Sequence, residues 1–135
     1  MWPPEVEQVA APLRAAGIEA RLEELAPGET ELPRAAARAV AYECDGRAVV
    51  ALVPAQEDAD TAKVRAAAGC RGAPAVTATP PFPFTAAARV LVEQRLLVAQ
   101  TVWLEAGSPR HVLGLEPGVL TSLTRAIPAD LTQNG

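Results

Sequence analysis

The sequence predicts an α+β protein with a mixed, largely antiparallel sheet and flanking helices. The Asp45-Gly46 dipeptide joins two apolar runs, residues 38–44 and 47–53, and this arrangement is typical of a β-hairpin because both turn positions need a positive φ. Further strand patterns with short connections follow within residues 88–115. Helical patterns occur at both ends and in the middle of the chain, without the regular alternation with strands that marks a parallel α/β fold.

The N-terminal segment predicts a helix followed by a strand. Apolar residues recur at helical spacing between Pro4, which suits the first turn, and Gly17, which suits the end. Pro12 removes one hydrogen bond, so the helix is kinked there or begins later. Apolar and polar residues then alternate over residues 18–25, which predicts a half-buried strand.

The next segment leads into the hairpin. Residues 26–30 predict a turn, and the alanine-rich residues 31–38 predict a short helix with Pro33 in its first turn. The second hairpin strand, residues 47–53, is apolar on both faces, so we expect it to be a central strand.

A third helix is predicted over residues 60–68, with Asp58 or Asp60 as its N-cap and Gly69 after its last turn. Residues 72–84 then contain four prolines, which exclude a helix or a central strand. Two phenylalanines in this segment favour an ordered loop that packs on the body of the protein.

The C-terminal third predicts three strands and a helix. The strand patterns cover residues 88–93, 101–106 and 111–115, and residues 107–110 form a predicted turn before the last of them. A final helix is predicted over residues 117–125, with proline at its first position.

The composition indicates a single globular domain over residues 1–135. Alanine supplies 29 residues and there are five aromatic residues, which leaves little material for a surface that stacks nucleic acid bases. The net charge of −4 argues against binding along many phosphates, so a nucleic acid contact would be short and local.

The two cysteines, Cys44 and Cys70, do not form a CxxC motif and suit a reducing compartment, so we expect a cytoplasmic protein. Cys44 is expected to be a small buried or edge thiol, and Cys70 follows a helix C-terminus, which disfavours a thiolate. With one histidine and no ligand-spaced cluster, neither a metal site nor a cofactor is expected. No apolar run approaches the length of a membrane span, and the first residues lack the features of a signal peptide.

The order of these elements and several local strings resemble the YbaK/ProX family of aminoacyl-tRNA deacylases, whose fold also forms the editing domain of bacterial prolyl-tRNA synthetases. The longest similar stretch covers more than a quarter of the chain and contains two strands, a Gly-Ser-Pro turn, a further strand and a Leu-rich helix. The similar strings are VAAPLRAAGIEARLEEL at 9–25, AVAYECDGRAVVALVPA at 39–55, DADTAKVRAAAG at 58–69, and ARVLVEQRLLVAQTVWLEAGSPRHVLGLEPGVLTSLTRA at 88–126.

The resemblance implies a site at the start of the first hairpin strand. Members usually carry a lysine there, about seven residues before the turn, and this spacing falls on Arg38. Arginine keeps the charge and can bind a phosphate with two hydrogen bonds but cannot act as a base, so its role would be positional. In an equally good alignment Arg38 closes the preceding helix and the family's lysine is deleted.

The resemblance also implies substrate-binding residues in two further segments. The family's glycine-rich loop ends in Pro-Phe; this chain retains Pro81 and Phe82 but has proline and threonine where glycines are expected. The Gly-Ser-Pro turn supplies Gly107 and Ser108, and His111 follows it as either a pocket histidine or an exposed residue at the start of a strand.

Two functions follow as expectations. The first is an aminoacyl-tRNA deacylase that acts in trans on mischarged tRNA without a metal, with Arg38 as the catalytic-site residue and a local contact to the tRNA acceptor end. An aminoacyl-tRNA synthetase is a further expected partner, and a membrane is not. The alternative is a non-catalytic relative that binds tRNA, a synthetase or a small molecule. The sequence assigns no oligomeric state.

Overall fold

The computed structural model describes residues 2–25, 36–106 and 110–133. In this part of the chain three α-helices and one 3₁₀ helix flank one sheet of eight strands. The α-helices are α1 (Pro4–Ala15), α2 (Thr61–Ala68) and α3 (Pro117–Thr124), and the 3₁₀ helix is Gln94–Val98. The strands are β1 (Arg21–Glu24), β2 (Ala36–Cys44), β3 (Arg47–Pro54), β4 (Ala75–Thr77), β5 (Arg89–Glu93), β6 (Val102–Glu105), β7 (His111–Leu115) and β8 (Ile127–Ala129).

The sheet is mixed, as predicted. Its strand order is β1-β7-β6-β2-β3-β5-β8, and β4 pairs separately with β2. Four pairings among the described strands are antiparallel, namely β1 with β7, β2 with β3, β2 with β4, and β6 with β7. Three are parallel, namely β2 with β6, β3 with β5, and β5 with β8. The predicted α+β class is therefore confirmed.

Each face of the sheet carries its own apolar core. One core joins β2, β3, β5, β6 and β7 to α1 and α3 through residues such as Leu13, Leu52 and Leu120. The other lies under α2 and includes Val53 and Val64. Because side chains alternate along a strand, β3 supplies residues to both cores, which confirms it as a central strand.

Helix α1 begins at Pro4 and is followed by Gly17, as predicted, and it continues through Pro12. Strand β1 is shorter than predicted, since it begins only at Arg21. The reason is local: the N–H of Ile18 donates to the carbonyl of Leu13 at 3.0 Å, so the first residues after the helix close its last turn.

The hairpin forms where the sequence predicts it. Strands β2 and β3 pair in register with Cys44 opposite Arg47, and the turn residues Asp45 and Gly46 have φ values of 52° and 82°. Positive φ at both positions is what the Asp-Gly dipeptide supplies at low cost.

Strand β2 begins earlier than predicted, and the expected helix over residues 31–38 is wrong for its last three residues. Ala36 and Ala37 pair with Trp103 and Leu104 of β6. Pairing with a strand distant in sequence overrides the helical preference of alanine. The rest of the predicted helix and the turn before it lie outside the described residues.

Helix α2 has Asp60, one of the two residues predicted for this position, as its N-cap. The Asp60 carboxylate accepts hydrogen bonds from the N–H groups of Ala62 at 2.9 Å and Lys63 at 3.3 Å. Gly69 closes the helix in the left-handed conformation with φ 72°. Asp60, and not Asp58, is therefore the N-cap.

The segment after α2 is attached to the hairpin by a disulfide. Cys44 and Cys70 are bonded, with their Cα atoms 5.6 Å apart, so the expectation of a small thiol at Cys44 is wrong. The Asp45 carboxylate also accepts hydrogen bonds from the N–H groups of Arg71 at 2.8 Å and Gly72 at 3.1 Å. These backbone hydrogen bonds lower the pKa of Asp45 below its ordinary value.

Two short strands were not predicted. Strand β4 lies within the proline-rich segment 72–84 and pairs with residues 41–43 of β2 as an exposed edge strand. Strand β8 lies parallel to β5 even though it contains Pro128. Proline is tolerated in edge strands, and both pairings depend on partners that the local sequence does not specify.

The remaining elements match their predictions. Strands β5, β6 and β7 and helix α3 lie within one or two residues of the predicted bounds. No helix in the described ranges is long and apolar enough to cross a membrane.

Candidate functional site

A cavity of about 870 Å³ opens where the sheet splits between β2 and β6. The two strands pair only at Ala36 and Ala37, opposite Trp103 and Leu104, and β2 pairs with β4 from Ala41 onward. Beyond this point the two strands separate, so strand edges that would otherwise be paired are open to the cavity. Side chains from both strands, the proline-rich loop and α1 line the cavity, including Glu5, Arg38, Pro81, Phe82, Trp103 and Glu105.

The cavity brings together three of the six predicted site residues. Arg38 comes from β2, and Pro81 and Phe82 come from the loop that follows β4. Their sequence positions lie more than 40 residues apart, and the pairing of β4 with β2 brings the start of the loop close to β2. Gly107 and Ser108 lie outside the described residues.

The Arg38 side chain is held by the turn that follows β3. Its Nη2 donates to the carbonyl oxygen of Glu57 at 2.9 Å and lies 3.4 Å from Asp58 Oδ1. The Asp58 side chain is 93% exposed, so its ion pair with Arg38 is weak. The hydrogen bond to Glu57 therefore sets the orientation of the guanidinium group.

The proline-rich loop offers the cavity a mainly apolar wall. Prolines have no N–H group, and the N–H of Phe84 donates to the carbonyl of Pro81 at 2.8 Å. Within residues 79–84 the remaining backbone N–H groups are those of Thr79 and Phe82. The Phe82 and Phe84 rings meet edge to face with centroids 5.5 Å apart, and Phe84 is buried in the core, which anchors the loop.

Trp103 forms another wall of the cavity, which the sequence did not predict. It is half-buried and lies opposite Gly114 in the pairing of β6 with β7. The Arg21 guanidinium lies 5.7 Å from the ring centroid, within cation–π distance. A glycine directly across from an aromatic residue is the signal that would have indicated this arrangement.

Replacing Gly114 with alanine is expected to displace the Trp103 ring. A Cβ atom at this position would lie 2.8 Å from Trp103 Cζ3 and 2.9 Å from Thr101 Cγ2. Such overpacking costs about 1–3 kcal/mol, measurable as a lower free energy of unfolding in urea. Gly118→Ala is the matched control, because nothing lies within 4 Å of its added Cβ. Equal stability of the two variants would contradict the close contact.

Two carboxylates, Glu5 and Glu105, line the same cavity and were not singled out from the sequence. Together with Arg38 they give the cavity both positively and negatively charged side chains beside its apolar lining residues. Arg38 is a permanent cation that can bind a phosphate or a carboxylate but cannot accept a proton. A carboxylate can accept one, so proton transfer in this cavity would fall to Glu5, Glu105 or the substrate itself.

His111 lies apart from this cavity. It is 6% exposed, so it is not the exposed strand-start residue of one prediction. Its ring meets Trp2 edge to face at 5.5 Å beside a smaller cavity of about 420 Å³ that Glu24 also lines. Side chains alternate along β7, and Val112, rather than His111, faces the larger cavity. His111 Nδ1 is buried and makes no hydrogen bond within the described ranges.

The described residues contain no group of three or more histidine, cysteine or acidic side chains arranged to hold a metal ion. The charged groups near Arg38 instead pair with each other. Glu57 Oε2 accepts from Arg95 Nη1 at 3.2 Å, and this contact to Arg95 lowers the pKa of Glu57. The same pairing raises the pKa of Arg95. Both shifts favour the charged forms of the two groups.

Comparisons with known proteins support the fold. No family model matches the chain, and no curated protein sequence matches it. A solved structure from work on computational grafting of linear epitopes onto scaffold proteins has a TM-score of 0.82 and 21% identity, covering 98% of this chain and 99% of that chain. A proposed trans-editing enzyme for prolyl-tRNA synthetase has a TM-score of 0.78 and 19% identity, covering 98% and 99%. A hypothetical protein has a TM-score of 0.77 and 17% identity, covering 94% and 100%.

These similarities extend over nearly the whole of each chain, so they concern the complete arrangement of strands and helices and not a shared fragment. The chain has the fold of the proposed trans-editing enzyme, as the resemblance to the YbaK/ProX family predicts.

Proposed function

We propose that the chain is an aminoacyl-tRNA deacylase that acts in trans on mischarged tRNA. The observation that carries this proposal is the cavity in which Arg38 faces the Pro81–Phe82 loop. Two of the three segments that the family resemblance assigns to the site thus line one cavity. The fold shared with a proposed trans-editing enzyme for prolyl-tRNA synthetase supports the same function.

In this proposal Arg38 holds the terminal part of the tRNA. Its guanidinium group binds a phosphate of the 3′ end through paired N–H groups, and this contact is local, as the net charge of −4 requires. The amino acid then lies against the apolar wall formed by Pro81 and Phe82. The cavity thereby positions the ester between a fixed cation and a shape-selective wall.

Hydrolysis follows from this positioning. The oxygen of a water molecule attacks the ester carbonyl carbon, the bond to the ribose oxygen breaks, and that oxygen takes up a proton. The amino acid leaves as a carboxylate, the second proton of the water molecule is released to the solvent, and the tRNA regains its terminal hydroxyl. The N–H groups of Phe82 and Thr79 are the loop donors available to the developing oxyanion. A synthetase partner and a cytoplasmic location belong to the same proposal.

Deacylation of a panel of mischarged tRNAs tests the function, and the panel includes alanine and cysteine attached to proline tRNA. The Arg38→Ala variant is expected to lose about 10- to 100-fold in kcat/KM, which corresponds to one charged hydrogen-bonded contact. Arg47→Ala is the matched control, because Arg47 is an exposed arginine on the neighbouring strand and does not line the cavity. Equal activity of the two variants would show that Arg38 has no role in the active site.

A non-catalytic relative is the second candidate, and the proline-rich loop favours it. This loop offers two backbone donors where a glycine-rich loop would offer more. The expected result for this candidate is binding of uncharged tRNA, weakened by Arg38→Ala, without turnover of any substrate in the panel. Turnover that depends on Arg38 would exclude it.

A further inference from the structure

The Arg38 side chain is anchored through a chain of contacts that reaches the buried core. The first link is the turn after β3, where the N–H of Glu57 donates to the carbonyl of Pro54 at 3.0 Å and the N–H of Ala55 donates to the carbonyl of Ala36 at 2.9 Å. The carbonyl of Glu57 then accepts the hydrogen bond from Arg38 Nη2. The position of this turn therefore determines where the Arg38 guanidinium lies.

The Glu57 side chain fixes the turn from the other side. Its two carboxylate oxygens pair with the two terminal nitrogens of Arg95, and Thr132 Oγ1 donates to Oε1 at 2.9 Å. The Glu57 side chain is 18% exposed and the Arg95 side chain is 41% exposed, so this ion pair is partly accessible to solvent. A bidentate pair restricts both side chains more strongly than a single hydrogen bond does.

Arg95 is held in turn by Glu93. The Glu93 carboxylate is fully buried, and its Oε2 accepts from the backbone N–H of Arg95 at 2.9 Å and from Arg95 Nε at 3.2 Å. Its Oε1 accepts from the N–H of Leu131 at 2.9 Å. The chain of contacts thus starts at a group that cannot move without breaking buried hydrogen bonds.

We propose that Glu57 and Arg95 are positioning residues that hold the Arg38 guanidinium in the cavity. This inference rests on the proposed deacylase function for its catalytic consequence. Neither residue lines the cavity, so neither would touch the substrate directly. They act through the Glu57 carbonyl.

The physical reason is the flexibility of an exposed arginine. A free guanidinium samples many rotamers, and ordering it when the substrate binds costs conformational entropy. Arg38 is partly exposed, and the Glu57 carbonyl is the short contact that restricts it. Holding the group in place beforehand transfers this cost from substrate binding to folding, which raises kcat/KM.

The test combines kinetics with a structural measurement that does not need activity. Glu57→Gln removes the charge of the bidentate pair and keeps its size, and Arg95→Lys keeps the charge without the paired geometry. Glu43→Gln, an exposed strand carboxylate, is the control. The Nε–H signal of Arg38 in ¹⁵N–¹H NMR spectra reports whether its side chain is ordered.

Glu57→Gln is expected to lower kcat/KM about fivefold or more in the wild-type background and less than twofold in the Arg38→Ala background, because coupled residues are not additive. Arg95→Lys is expected to give a smaller loss. The Arg38 signal should move toward the position of a free arginine in Glu57→Gln and remain unchanged in Glu43→Gln. An equal loss in both backgrounds, or an unchanged Arg38 signal, would overturn the proposal.

The two measurements separate this inference from the proposed function. If the wild-type protein deacylates no substrate but the Arg38 signal still responds to Glu57→Gln, the proposed function fails and the structural link between the residues holds. If the protein is active and the signal does not respond, the function stands and the positioning role is excluded.

Discussion

Replacing Glu93 with alanine is expected to lower the free energy of unfolding by about 1–3 kcal/mol, the usual cost of leaving a buried hydrogen-bonding group without its partner. Glu93 is 0% exposed, and its carboxylate satisfies the N–H of Leu131 and two donors of Arg95. The alanine variant would leave the Leu131 N–H buried without a partner and would remove one of the two carboxylates that bind Arg95. Urea denaturation followed by circular dichroism measures the change.

The control for this variant is Glu43→Ala, which removes an exposed carboxylate from the neighbouring part of the sheet. Its effect is expected to stay within about 0.5 kcal/mol, as for most surface substitutions. Glu93→Gln should fall between the two, because its amide keeps one acceptor oxygen but turns a donor toward Arg95. A loss below 1 kcal/mol for Glu93→Ala would contradict the assigned role.

Removing the disulfide is expected to lower the free energy of unfolding by about 3 kcal/mol. Cys44 and Cys70 are 26 residues apart in sequence, and the bond restricts the unfolded chain by closing this loop. The loss should appear both in the Cys44→Ala/Cys70→Ala double variant and in the wild-type protein under a reducing agent, each compared in urea with the oxidised wild type.

The double variant also serves as the control for the reducing agent, which should not change its stability. Counting free thiols in the native protein tests the bond itself, since the disulfide leaves none. Disulfides are rare in the cytoplasm. The bond therefore contradicts the reasoning by which the two cysteines predicted a reducing compartment. Two reactive thiols and a stability that does not depend on the reducing agent would contradict the disulfide.

Signals contained in a few neighbouring residues allowed much of the fold to be predicted. The Asp45-Gly46 turn, the cap at Asp60 and the glycine after α2 each act through φ preferences or hydrogen bonds within a single turn. The apolar pattern of β3 indicated a central strand, and it lies between β2 and β5. The site was indicated less directly, by the positions at which Arg38 and the Pro81–Phe82 loop match a known family.

Other features depend on residues far apart in the chain. Strands β4 and β8 are three residues long and are stabilised by pairing with β2 and β5. The disulfide joins two cysteines whose spacing carries no motif, and the buried His111 ring contacts Trp2 near the other end of the chain. Local sequence carries little information on such contacts, because their energy is gained only when distant segments meet.

The sequence by itself determined the elements whose preferences are local, namely the three α-helices, the hairpin and the C-terminal strands, and with them the α+β class. The tertiary structure decided where the sheet splits, and therefore which side chains surround the cavity. It also decided that the Glu57 carbonyl accepts a hydrogen bond from Arg38 and that the Glu57 carboxylate pairs with Arg95. The physical reason is that turns and caps are set by neighbouring dihedral angles, whereas a cavity and an ion-pair chain arise from strand pairing across the whole fold.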